Sequence, residues 1–206
     1  MTAELDDEQL MRNYAAGSSA AFAHLFGRHE RAVFRFLLRS LGGQRAPAED
    51  LLQDVWLAVI RNASTWEPRA KFTTWLFTIA RSRLIDHWRA QERGDAPGSA
   101  RFVRLDDEEQ MGGDETHTSA TGAPLALAAD RVWQPEVRAL SRAQARAFVV
   151  AVEQLPAAQR EAFLLHAEGD LTVADIARQT GTPAETIKSR LRYALAKLRG
   201  AMEEWS

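Results

Sequence analysis

Residues 171–199, LTVADIARQTGTPAETIKSRLRYALAKLR, carry their own punctuation, and no other stretch restricts the fold as tightly. Thr172 followed by Asp175 is a helix-start pattern, because each side chain can satisfy a backbone N–H left free at the first turn. Gly181 is placed to stop that helix, since glycine enters the left-handed conformation without a Cβ clash. Thr182, Pro183 and Glu185 then read as the cap, first position and third position of a new helix running to about Gly200. Two short helices joined by a tight glycine turn predict a helix-turn-helix.

At about 100° per residue, Ile187, Leu191, Ala194, Leu195 and Leu198 fall on one stripe of the last helix, which must pack against its neighbours. Lys188, Arg192 and Arg199 flank that stripe on one side and Arg190 and Lys197 on the other, while Glu185, Ser189 and Tyr193 face away. Such a helix fits a major groove, with its N-terminal residues at base edges and its cations on phosphates. The same rows also suit a helix that is merely solvated. With every one of these cations on a phosphate the salt slope reaches at most about −4.5, so this helix alone binds DNA weakly.

Upstream, helical spacing recurs. Phe22, Leu25, Phe26, Val33, Phe36 and Leu37 predict a helix from Ser18 to Leu41 with Gly42-Gly43 as its stop, after a shorter helix around residues 7–15. A further helix is expected from Pro47 to about Asn62, with Glu49 and Asp50 in its first turn, and another from Lys71 to Glu92. Between Arg93 and Leu140 periodicity fails and Gly, Ser, Thr, Asp and Pro accumulate. A flexible linker of that length spans about 40 Å root-mean-square, so the units it joins can sit far apart on a partner. Ser141 with Gln144, and then Pro156, mark the starts of two more helices. The expected fold is all-α: a helical domain over 5–93, an acidic flexible linker over 94–140, and a helix-turn-helix domain over 141–206.

In the helix from Pro47, Leu51, Leu52, Val55, Trp56, Val59 and Ile60 cover the arc expected to be buried. Asp50, Gln53, Asp54, Leu57 and Arg61 line the other side, either as a protein-binding face for a basic partner or as a solvated face with an incidental leucine. In the next helix Phe77, Ala80, Leu84 and Trp88 share one face, and Trp75, Ile79, Ser82, Asp86 and Arg89 another. Aromatics interleaved with Arg81, Arg83, Arg89 and Arg93 suit stacking on unpaired bases, although core packing uses the same pattern.

Other classes find little support. The chain of 206 residues has no cysteine, which excludes disulfides and thiolate metal sites. The start MTAELDDEQL lacks the pattern of a secretory signal and no apolar run nears the roughly 20 residues that span a bilayer, so a cytoplasmic protein without membrane insertion is expected. No catalytic motif is present, and His24, His29, His87, His117 and His166 lack metal spacing, so no catalytic residue, metal or cofactor is expected. Formal net charge is only −2, but acids gather in Asp106, Asp107, Glu108, Glu109, Asp114 and Glu115 while Arg and Lys gather on helices. That asymmetry fits local contact with DNA, as in a stand-alone helix-turn-helix regulator that dimerises on palindromic half-sites.

The order of the segments narrows this further. AEDLLQDVWLAV, FTTWLFTIARSRLIDHWR and the helix-turn-helix resemble, in turn, the polymerase-binding helix, the promoter-melting helix and the fourth region of bacterial sigma-70 factors, in particular the extracytoplasmic-function (ECF) group. The resemblance implies a sigma factor that brings core RNA polymerase to promoter DNA. It implies that Asp50, Leu51, Gln53, Asp54, Val55 and Trp56, with Leu57 beside them, dock on the coiled coil of the largest subunit, and that the C-terminal domain sits on the flap of the second large subunit. It implies that Phe72, Thr74, Trp75, Ile79, Arg81, Ser82, Asp86 and Arg89 open and read the minus-ten element. Pro183, Glu185, Thr186, Lys188, Ser189, Arg190 and Arg192 would read the minus-thirty-five element. It also implies that the acidic linker threads the basic channels of the enzyme, and it admits an anti-sigma factor as a further partner. Family members often carry asparagine where Ser82 stands, a departure at that surface.

Overall fold

The computed structural model describes residues 5–68, 70–93 and 142–203. The acidic run from Asp106 to Glu115 and Ser141 of the expected capping pattern lie outside the described residues. Among the described residues every regular element is helical, as the sequence patterns predict.

Helix α1, Asp7–Ala15, begins where the Asp6 carboxylate accepts from the Gln9 N–H at 2.6 Å, and it buries Leu10 and Met11. Helix α2, Ser19–Ser40, is capped by the Ser18 hydroxyl. It ends at Gly42 and Gly43, whose φ values of 60° and 81° are the left-handed conformation expected of a glycine stop. Helix α3, Arg45–Asn62, starts two residues before Pro47. Proline is tolerated there because N–H groups of the first turn have no partner within the helix in any case. Glu49 and Asp50 consequently fall in the second turn, where Glu49 pairs with Arg45 at 2.7 Å instead of meeting the helix dipole. A 3-10 turn, Ala63–Thr65, leads towards α4, Phe72–Glu92.

The C-terminal half comprises α5, Arg142–Glu153, α6, Ala157–Gly169, α7, Val173–Thr180, and α8, Ala184–Met202. Asp170 stops α6 with φ 53°, a left-handed position that aspartate tolerates better than most residues. The Thr172–Asp175 capping box forms in both directions, and Gly181, φ 65°, closes α7. The expected cap at Thr182 does not form. Pro183 holds the cap position of α8 without a side-chain bond, and the Thr182 hydroxyl instead donates to the Thr180 carbonyl at 3.5 Å.

Helices α1–α4 and α5–α8 share one continuous buried cluster, so the two halves that a long linker allows to sit apart are packed together here. Phe36 of α2 and Phe77 of α4 meet edge to face at 5.4 Å, both fully buried. Truncating such a ring to alanine removes about 3–5 kcal/mol of stability. The end of α6 lies so close to α4 that a Cβ on Gly169 would stand 3.0 Å from Phe77 Cγ and 2.6 Å from Leu171 Cδ1. Beside this contact Glu168, its side chain 1% exposed, receives Arg35 at 2.7 Å and also Arg39, both from α2. A buried carboxylate needs such partners, because an unpaired charge in low dielectric is strongly disfavoured.

Candidate nucleic-acid interface

On α8 the stripe Ile187, Leu191, Ala194 and Leu198 is buried, which turns the opposite side outwards. Pro183, Glu185, Lys188 and Arg192 are exposed, and Thr186, Ser189 and Arg190 half-buried, so the residues expected to read DNA occupy the cap and the first turns of one helix. Lys188 pairs with Glu185 at 2.7 Å, and the Arg192 guanidinium lies 5.0 Å from the centre of the exposed Tyr193 ring. These contacts are on the surface and worth little by themselves, so phosphates can displace them. The capping box and the glycine stop hold α7 against α8, which fixes the direction in which this basic surface points.

The second surface is built by α4 and the turn before it. Trp75 and Trp66 stand 6.3 Å apart at the edge of an open cleft of about 410 Å³, lined also by Asn62, Thr65, Glu67 and Ala70. Two half-exposed indole rings on one cleft offer flat apolar faces of the kind on which bases stack. Ile79 is half-buried, and Ser82, Asp86 and Arg89 are exposed further along α4. Two of the expected DNA contacts have no such surface. Phe72 is fully buried between His29 at 5.5 Å and Trp75 at 5.9 Å, and Thr74 is buried with its carbonyl taken by Gln179 Nε2 at 2.8 Å. They support the face rather than present it. Arg81 is also engaged: Nε donates to Glu161 at 2.8 Å and Nη1 to the Gln179 carbonyl at 3.1 Å. Trp66 was not among the expected contacts, because it lies in an irregular segment where helical periodicity carries no signal.

A third surface lies on α3. Asp50, Gln53, Asp54 and Leu57 are exposed, whereas Leu51, Val55 and Trp56 are buried. Those three therefore belong to the core in this arrangement and shape the docking face from beneath. Ile60, expected inside, is 42% exposed, as is Leu57. Together with Phe22, Phe26 and Leu52 they line an apolar groove of about 340 Å³ rimmed by Glu49 and Gln53. Trp56 forms its floor, edge to face with Phe22 at 5.7 Å, with its indole N–H buried and unmatched by an acceptor. Among the described residues no group of carboxylates and histidines is arranged to hold a metal ion.

Both halves of the chain match models of one family of known proteins. Sigma-70 region 2 matches residues 25–94, and Sigma-70, region 4 matches residues 139–198. The chain is 35% identical over 184 residues to the ECF RNA polymerase sigma factor RpoE of Cereibacter sphaeroides, covering 89% of this chain and 87% of that protein. It is 31% identical to the RNA polymerase sigma factor CarQ of Myxococcus xanthus, covering 94% and 96%, and 28% identical to the ECF RNA polymerase sigma factor SigK of Mycobacterium tuberculosis, covering 96% and 94%. Among solved structures the fold is similar to that of CnrH in complex with the cytosolic domain of CnrY, with a TM-score of 0.58 and 22% identity over 97% of this chain and 99% of the other. It is similar also to the sigma factor RpoE in complex with the anti-sigma factor NepR from Bartonella quintana, with a TM-score of 0.57 and 24% identity over 88% and 96%.

Proposed function

Because the chain belongs to the ECF group of the sigma-70 family, and so directs RNA polymerase to promoters to initiate transcription, we propose that its three surfaces divide that work. The rival reading as a stand-alone regulator gives way to that membership. Asp50, Gln53, Asp54 and Leu57 dock on the coiled coil of the largest polymerase subunit, with the apolar groove beside them taking an apolar side chain of the enzyme. Trp75 with Trp66, followed by Ile79, Ser82, Asp86 and Arg89, opens and reads the minus-ten element. The first turns of α8 read the minus-thirty-five element while the C-terminal half rests on the flap of the second large subunit. The functional units are taken as 5–93 and 141–206, with 94–140 as the tether.

The observation that carries this assignment is the separation of chemistries. Glu49 and Gln53 rim an apolar groove on α3 with exposed Asp50 and Asp54 on the same helix, paired tryptophans edge a cleft at α4, and cations crowd α8, each on its own face. Binding energy then comes from joining weak contacts on one large scaffold, where the second contact benefits from a high local concentration. The protein does no covalent chemistry in this scheme. No helix among the described residues is long and apolar enough to cross a membrane, and we place the chain in the cytoplasm beside its polymerase. An anti-sigma factor is a further proposed partner, in keeping with the complex of the similar Bartonella RpoE with NepR.

Reconstituted transcription with core polymerase and a randomised promoter library tests the assignment. Asp54→Ala is expected to weaken association with the core enzyme, and Arg190→Ala to relax selection at the upstream element only. Activity of both variants equal to that of the parent would remove these roles from the two residues.

A further inference from the structure

Helix α4 begins without a cap of its own, because the Lys71 side chain makes no bond to the first turn. Its first N–H, that of Phe72, is instead met by the Glu8 carboxylate at 2.8 Å, from a residue 64 positions earlier in the chain. A carboxylate at that point satisfies an orphan donor and meets the positive end of the helix dipole at once. Glu8 is itself held in place. Its neighbour Asp7 accepts from Arg28 at 2.9 Å and contacts His29 at 2.6 Å, and Arg28 also donates to the Leu5 carbonyl at 2.8 Å, so the start of α1 is fastened to α2. The His29 ring in turn packs on Phe72. Phe72 is thereby gripped by its backbone from α1 and by its ring from α2, and it is the residue against which Trp75 packs at the edge of the aromatic cleft.

We propose that Glu8 is a positioning residue for promoter opening: by capping α4 it sets the angle at which Trp75 faces Trp66. This rests on the reading of α4 as the promoter-opening helix. Glu8 lies outside the segment 25–94 that matches region 2, and it does not line the cleft, so it acts on DNA only through Phe72 and Trp75. A carboxylate with a merely structural role would affect every activity of the N-terminal half alike. A positioning role affects the α4 surface and leaves the α3 docking face unchanged.

The test uses the full chain with core polymerase and four variants: Glu8→Ala, Glu8→Asp, Glu8→Gln and Trp75→Ala. Association with the core enzyme is followed by fluorescence anisotropy. Promoter opening is followed, at saturating holoenzyme, by 2-aminopurine placed in the minus-ten element. Glu8→Ala should keep its affinity for core polymerase and lose about fivefold in opening, the change in equilibrium that removing one helix cap typically brings. Glu8→Gln, whose amide oxygen still accepts from Phe72, should recover most of that loss. Glu8→Asp, one methylene too short to reach, should behave like alanine, and it carries the comparison should the alanine variant not fold. Opening by Glu8→Ala or Glu8→Asp at the parental level while Trp75→Ala fails would overturn the positioning role and leave the reading of α4 standing. Parental opening by Trp75→Ala would remove that reading and the inference with it. A parallel fall in polymerase binding and opening for the Glu8 variants would reduce Glu8 to a structural residue.

Discussion

Replacing Glu168 by glutamine should open the protein along the seam between α2 and α6. The Glu168 carboxylate is the deepest charge in that seam, and its two guanidinium partners are unequal: the Arg39 side chain is 13% exposed and that of Arg35 48%. An exposed arginine contributes at most about 1 kcal/mol to such a pair. Arg39 decides the outcome. Burial pushes its pKa down and Glu168 pushes it back up, yet a guanidinium stays charged at neutral pH, so without that carboxylate a buried cation keeps only the weaker attraction of Glu153. Removing one partner of a buried pair costs about 3–5 kcal/mol, and the acceptor retained by glutamine lowers this to about 2–3 kcal/mol, roughly thirtyfold to a hundredfold in the closing equilibrium. When the halves part, both arginines regain water, so the loss falls on closure and not on either half alone. The chain contains no cysteine, and exposed Ala23 and Ala196 can each be changed to cysteine to carry one dye of a pair. Single-molecule energy transfer should then move from one high-transfer population to a mixture dominated by low transfer, with helix content unchanged. An unaltered distribution in Glu168→Gln would show that this carboxylate does not hold the seam.

Other substitutions test separate contacts. Gly169→Ala forces a methyl group against Leu171 and Phe77 and should lower thermal stability by about 1–3 kcal/mol, read from the unfolding midpoint. Thr172→Ala removes half of a reciprocal capping box and should destabilise α7 by about 1 kcal/mol, seen as faster amide exchange in α7 and α8 before any global unfolding. The Asp7 carboxyl is held below its ordinary pKa, first by its hydrogen bond with His29 and, against the opposing effect of burial, also by Arg28. A depressed carboxyl stabilises the fold above its unfolded value of about 3.9, and the benefit disappears as pH falls through the folded value. Asp7→Asn should therefore lower the urea midpoint at pH 6 and narrow its gap to the parent as pH falls below about 4.

Much of the architecture is legible along the chain because helix ends are written in local chemistry. Asp6, Ser18, Gly42, Thr172 with Asp175, and Gly181 act within a few residues of themselves, and the structure uses each of them at a helix end. Errors arise where a distant contact decides. Pro47 signals a start but is accepted inside the first turn, and Ile60 belongs by spacing to the buried arc yet sits where no neighbouring helix covers it. On the docking helix, spacing separates exposed Asp50, Gln53, Asp54 and Leu57 from the buried residues, whereas the resemblance assigned Leu51, Val55 and Trp56 to the contact without regard to side. The cap on α4 comes from Glu8 and the seam at Glu168 from Arg35 and Arg39. Pairings across such sequence distances leave no periodic trace. Nor does Trp66, whose value lies in facing Trp75 across an irregular turn.

The guanidinium of Arg81 has a consequence for how the molecule is switched on. While it grips Glu161 and the Gln179 carbonyl, its Nε and Nη1 are committed within the molecule, so in the proposed promoter-opening role a nucleic-acid phosphate would have to compete with that grip. Whatever prises α6 and α7 from α4 frees this cation in the same movement. By thermodynamic reciprocity a captured strand then hinders reclosure to the degree that closure hindered its capture.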